Sequence, residues 1–203
     1  MRIRWGWMVV VAAIAACGGE AAEDDAATED EPVPAAPAEQ GTAQTPAFDT
    51  PAPAGAMDVQ IADATGRQVG VARLSESGDG IQIEVRVAGL TPGEHGIHVH
   101  AAGRCEPPAF ESAGPHFSAT PKQHGADNPQ GPHTGDLPNL TVGSDGTGTG
   151  TFTVSGVQLH GTGANGMMQA GGTSLIIHAD RDDMLTDPSG NSGARIASGV
   201  ISQ

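Results

Sequence analysis

Six histidines and one aspartate stand at spacings that two neighbouring metal ions would need. They are His98 and His100 in GEHGIHVHAAG, His116 in AGPHFS, His124, His133 and Asp136 in GPHTGDLPNL, and His178 in SLIIHADRDD. His98 and His100 are two residues apart in an apolar, β-branched run, so on a strand both imidazoles project from one face. A pair of neutral imidazoles on a rigid face grips copper or zinc, which a Glu or Lys pair in the same place would not do. The other four histidines of the set lie in Gly/Pro-rich stretches or at the end of an apolar run. A single histidine is an ordinary surface or core residue. Six of the chain's eight in one spacing pattern indicate a metal centre.

Strands must position these side chains. Ile81, Ile83, Val85 and Val87 alternate with Gln82, Glu84 and Arg86, the period of a half-buried strand. Similar short runs cover residues 57–63, 68–74, 96–100, 140–142, 149–154, 173–178 and 194–201. Turn residues separate several of them: Ala64-Thr65-Gly66, Gly78-Asp79-Gly80, Thr91-Pro92-Gly93 and Ser144-Asp145-Gly146. No stretch carries a helical stripe. Eight strands without helices predict an all-β antiparallel sandwich or barrel. Two connections are long, 101–139 and 179–194, and the first holds four of the seven candidate ligands. Loops of that length in a compact domain usually carry function.

The first 56 residues are of another kind. Arg2 and Arg4 precede an apolar run from Trp5 to Ala16, and Ile14-Ala15-Ala16-Cys17 resembles the bacterial lipobox, whose Cys is acylated after cleavage. About a dozen apolar residues are too few to span a bilayer, which requires roughly 20. Residues 1–17 are therefore expected to be a lipoprotein signal, with Cys17 the lipid anchor of an exported protein. Residues 18–56 are rich in Ala and Pro and hold nine acidic residues with no Lys or Arg. Such a composition cannot offset its ordering entropy, so a disordered tether is expected, reaching on the order of 35 Å. The remaining domain, 57–203, has 15 acidic residues against 7 Lys and Arg, part of a net charge of −15. That balance argues against nucleic acid or an anionic lipid surface as a partner. Both Trp lie in the signal and there is no Tyr, so the core is expected to be aliphatic.

Over residues 57–203 the chain resembles the copper/zinc superoxide dismutases, and its bacterial branch in particular. The resemblance rests on Gly93-x-His95-Gly96-x-His98-Val99-His100, Gly114-Pro115-His116-Phe117, Gly135-Asp136-Leu137-Pro138, His178 with Asp182-Asp183, and Gly193-x-Arg195-Ile196-Ala197-x-Gly199-Val200-Ile201. It implies a flattened eight-stranded Greek-key β-barrel, an immunoglobulin-like sandwich, with two long functional loops. It also implies copper on His98, His100, His116 and His178, and zinc on His116, His124, His133 and Asp136, with His116 bridging. Four imidazoles suit Cu(II), and three imidazoles with one carboxylate suit tetrahedral zinc. By the same resemblance Asp182 links a copper ligand to a zinc ligand, Arg195 holds the superoxide anion, and His95 has a structural role. A bridge from Arg195 to loop carbonyls is an alternative for that residue. His160 reads as a surface residue, and Met167 and Met168 as an apolar pair rather than copper ligands.

The activity so implied is conversion of superoxide to dioxygen and hydrogen peroxide by alternate reduction and oxidation of copper, protecting the cell envelope. The alternative is a non-catalytic lipoprotein of the same fold that binds or delivers copper or zinc. A purely structural barrel would need neither ligand set. The oligomeric state stays open between monomer and homodimer. One departure stands out: where the family has a Cys in the last strand, partnered with the position of Cys105, this chain has Ser198. The loop after His178 offers Arg181 but no Lys, alongside Asp180, Asp182, Asp183 and Asp187, so weak long-range attraction of an anion is expected.

Overall fold

The computed structural model describes residues 46–161 and 163–202. The expected signal and Cys17, with residues 18–45 of the expected tether 18–56, lie outside the described residues. The elements are β1 (Met57–Asp63), β2 (Gln68–Ser77), β3 (Gly80–Val87), β4 (Gly93–His95), β5 (Ile97–His100), β6 (Leu140–Val142), β7 (Gly148–Ser155), β8 (Thr173–His178) and β9 (Arg195–Ile201), with two single 3₁₀ turns. All eight expected runs are strands. The ninth is β4, immediately before the 96–100 run. All strand pairs are antiparallel, in the order β4-β6-β7-β3-β2-β1-β9-β8-β5, a nearly closed Greek-key barrel.

The extra strand is how the barrel closes. β4 and β5 are the two edges of the sheet, yet only Gly96 separates them in the chain. Gly96 N–H donates to the Asp180 carbonyl at 2.8 Å and its own carbonyl accepts from His178 N–H at 2.8 Å. One continuous run thus serves one edge with three residues and crosses to serve the other.

Inside is the aliphatic core, where Ile81, Ile83, Val85 and Val87 of β3 meet Leu74, Leu140, Leu175 and Ile177. β8 is buried along its whole length. Leu175 and Ile177 face the barrel interior, while Ile176 packs outward against Phe110, Ala113 and Cys105 of the first long loop. That loop is a lid on the outer wall of β8.

Part of the expected tether, residues 47–51, contacts the barrel wall. Phe48 lies between two guanidinium groups, with Arg73 Cζ 4.1 Å and Arg86 Cζ 4.8 Å from its ring centroid. Arg73 donates to the Thr50 carbonyl at 2.9 Å, and Arg86 to the Ala47 carbonyl at 3.2 Å and the Asp49 carboxylate at 3.3 Å. Arg73 itself is fixed by two bonds to the Asp58 carboxylate, at 2.7 and 2.8 Å. Composition measured the segment's lack of apolar surface and missed that one aromatic ring finds a cationic slot.

Candidate metal centre

His98 and His100 alternate with Val99 on β5, so both rings leave the barrel on its outer side. β5 pairs with β8, which carries His178 at its end. The other edge of β5 is completed by two returning pieces of the long loop. Phe117 N–H donates to the Val99 carbonyl at 2.8 Å, Val99 N–H to the Gly135 carbonyl at 2.9 Å, and Gly135 N–H to the Phe117 carbonyl at 2.8 Å. These bonds set His116 opposite His100 and Asp136 opposite His98. Gly135 is required there, because a Cβ would overlap the Val99 carbonyl. Residues up to 38 positions apart in the chain are thereby brought together by backbone pairing.

The donors form two groups. In one, Asp136 Oδ1 lies 2.7 Å from His116 Nδ1, 3.1 Å from His124 Nδ1 and 3.4 Å from His133 Nδ1. With Zn–N bonds of 2.0–2.1 Å, donors at the corners of a tetrahedron are about 3.4 Å apart, so three imidazoles and a carboxylate at these distances fit zinc. In the other group, His98 Nδ1, His100 Nε2, His116 Nε2 and His178 Nε2 are all buried and have no hydrogen-bond partner. An unpaired buried polar atom costs about 1–3 kcal/mol. Four of them converging on one point are satisfied by a cation and by little else, and an all-imidazole set suits copper. His116 belongs to both groups, with Nδ1 in one and Nε2 in the other.

The ring nitrogens that face away from these groups are all but one accounted for. His98 Nε2 and His124 Nε2 meet the two oxygens of Asp182 at 2.8 and 3.0 Å, with all three side chains fully buried. His100 Nδ1 donates to the Gly114 carbonyl at 2.9 Å and His178 Nδ1 to the Gly193 carbonyl at 3.2 Å. Each such bond fixes which nitrogen is left bare for a metal. Burial pushes His100 down to about 2, His178 to about 3 and, against the pull of Asp136, His116 to about 4, so these rings stay neutral and able to ligate. Burial also opposes charge on His124, but its bonds to Asp136 and Asp182 outweigh it and lift the ring to about 9. Both carboxylates resist burial and are held well below their usual range by the same histidines. His95 lies outside the groups. Its two nitrogens meet the His178 and Thr91 carbonyls at 2.7 and 2.8 Å. His160 is exposed and Met167 is buried in the core.

A cleft of about 480 Å³ opens over His100, His116 and His178. Arg195 borders it, clipped by bonds to the Phe110 carbonyl at 2.7 Å and the Gly114 carbonyl at 2.8 Å. The guanidinium therefore stakes down the loop while lining the cleft. Lys122 and Glu111 also line the cleft. The steering expectation changes here: the cation facing the cleft beside Arg195 is Lys122, from the first long loop, whereas Arg181 is paired with Glu94 at 2.9 Å. Cys105 is a free, half-buried thiol. Sequence reasoning also passed over Asn139, and read Asp187 only as a loop charge. Asn139 bonds to the backbone of Asp182, 43 residues on, and Asp187 accepts from His124 N–H at 2.7 Å. Contacts of a side chain with distant backbone leave no trace in residue spacing.

The chain has relatives over this whole region. The family described as copper/zinc superoxide dismutase (SODC) matches residues 68–201. A "Superoxide dismutase [Cu-Zn] 2" from Aquifex aeolicus is 40% identical over 143 residues, covering 70% of this chain and 84% of the relative. A SOD-like protein from Bacillus subtilis superimposes with a TM-score of 0.68 at 41% identity, covering 71% of this chain and 97% of that structure. The Cu/Zn superoxide dismutase from Brucella abortus does so with a TM-score of 0.60 at 31% identity, covering 72% and 99%. With two donor groups sharing one imidazole on an antiparallel barrel, the chain belongs to the copper/zinc superoxide dismutase family.

Proposed function

We propose that this enzyme disproportionates superoxide at the cleft, with copper held by His98, His100, His116 and His178 and zinc by His116, His124, His133 and Asp136. When bound, copper supplies one-electron exchange with superoxide and zinc holds the shared imidazole in place. The rest is supplied by the chain. Arg195, always charged and fixed by two carbonyls, offers its remaining N–H donors to a small anion over His116 and His178. His116 lines the cleft, and its Nε2, buried and without a partner, is the nitrogen placed to take up and release a proton beside that anion. Asp182 keeps His98 and His124 turned so that their bare nitrogens point inward. We further propose that Cys17 carries a lipid and that the enzyme is exported and held to a bacterial membrane on its periplasmic or cell-surface side, removing superoxide in the envelope.

The single observation that carries this reading is the set of buried, unpartnered imidazole nitrogens around His116. A second reading, copper or zinc binding without turnover, draws on the 41% identity to the SOD-like protein of Bacillus subtilis. Metal content and superoxide-dependent turnover, measured on one purified preparation, separate the two. About one copper and one zinc per chain with rapid turnover is expected. Full loading with no more activity than free copper would establish the second reading. Labelling with a radioactive fatty acid, lost in Cys17→Ala, tests the anchor.

A further inference from the structure

We infer that Asn139 is a positioning residue for both metal sites, acting through Asp182; the inference rests on the ligand assignment proposed above. The carboxylate of Asp182 ties His98 to His124, so its placement affects one ligand of each metal. Asp182 lies in the loop 179–194, and its backbone is gripped from two sides by one carboxamide. Its N–H donates to Asn139 Oδ1 at 2.8 Å, and its carbonyl accepts from Asn139 Nδ2 at 2.9 Å. Only an Asn or Gln side chain presents a donor and an acceptor side by side in this way.

Asn139 is well placed to serve as a fixed point. It immediately precedes β6, which pairs with β4 and β7 in the barrel wall, and it follows the zinc-side Asp136 by three residues. One short stretch thus delivers a zinc ligand and the clip that holds the next loop in register with it. Among the described residues, no other side chain bonds to the Asp182 backbone. There is also little room for Asp182 to settle elsewhere: Gly190, at φ +64, is packed so closely that a Cβ would overlap Asp182 Oδ1 and stand 2.8 Å from His124 Nε2. Without the clip, both backbone groups lose their partners, and only the Met184 N–H bond at 2.7 Å and the packing of Gly190 are left to hold the carboxylate against the two imidazoles. Loss of such an outer partner lowers metal affinity 10–100-fold.

The test is zinc affinity of the full-length, copper-loaded chain, measured by chelator competition in wild type, Asn139→Ala, Asp182→Ala and the double variant. Asn139→Ala should weaken zinc about tenfold. In the Asp182→Ala background the same change should matter less than twofold, because there is no carboxylate left to position. The Cu(II) EPR spectrum of Asn139→Ala should move in the same direction as that of Asp182→Ala. Equal losses in both backgrounds, or unchanged zinc affinity in the single variant, would overturn the inference. Asn139→Asp, isosteric and keeping one of the two bonds, gives the same comparison if Asn139→Ala loses the circular dichroism of the barrel. Wild type that fails to bind zinc stoichiometrically would instead overturn the ligand assignment itself.

Discussion

Ser198→Cys is expected to create a stabilising bridge to Cys105. Ser198 is the register partner of Ile176 in the β8–β9 ladder, and Cys105 packs against Ile176 from the loop above, so the two positions share one patch of the outer wall. Closing residues 105 to 198 makes a loop of just over 90 residues, for which the chain-entropy relation gives about 4.7 kcal/mol at 25 °C. Engineered bridges typically deliver 2–4 kcal/mol because they strain the native geometry. For a domain of about 150 residues that corresponds to a melting-temperature rise of roughly 6–12 °C. The assay is calorimetry of the variant with and without reductant, beside a thiol titration after unfolding. Wild type should show the Cys105 thiol, and its turnover should be insensitive to reductant. The variant should lose both thiols on mild oxidation and lose its gain in reductant. A bridge that forms and leaves the melting temperature unchanged or lower would refute the reasoning, as would two thiols that never pair.

Arg195→Ala should cut kcat/KM for superoxide at least tenfold with both metals still bound, and should make the segment 104–114 more susceptible to proteolysis, since it removes both carbonyl clips. Lys122→Glu should lower the superoxide on-rate at low salt, and the difference should fade above about 0.1 M, where the Debye length is ~10 Å. Removing zinc from protein held at a thousand times its dissociation constant forfeits roughly 4 kcal/mol, or about 8–16 °C, which differential scanning calorimetry would read directly. The Asp63 carboxylate, held down to about 2 chiefly by the Thr65 hydroxyl, contributes stability that is present above its unfolded value near 3.8 and lost as pH falls towards 2. In Asp63→Asn, the β1–β2 turn should show no such acid transition in the Thr65 amide resonance.

The two donor groups were legible in the sequence because donor chemistry depends on residue type, and type with spacing survives in a linear string. His98 and His100 two apart on an alternating run could occupy only one strand face. The period of 2 likewise located every strand but the three-residue β4. Gly96 was not legible as a crossing point, since a run that changes sheet edges looks no different from one that stays. The docked stretch around Phe48 was hidden by its Pro- and acid-rich surroundings, and its partners Arg73 and Arg86 are ordinary outward residues of β2 and β3 until the barrel is assembled. Lys122 and Asn139 escaped for a related reason. Lys122 reaches the cleft from the first long loop, 56 residues before His178, and Asn139 acts on a backbone far along the chain.

The pairing of the long loop along β5 has a further consequence, for self-association. An edge strand presents unpaired N–H and C=O groups that can template pairing with another chain. Here the edge of β5 is capped by the segments carrying His116 and Asp136, which are the residues placed to hold zinc. Metal bound there would act as a rivet through the cap. Its loss would loosen the cover over an apolar strand, Ile97 to His100, whose open edge is then available to a second molecule. Under the lipid anchoring proposed above, which would concentrate the protein on a membrane surface, metal loading would protect against aggregation as well as against superoxide.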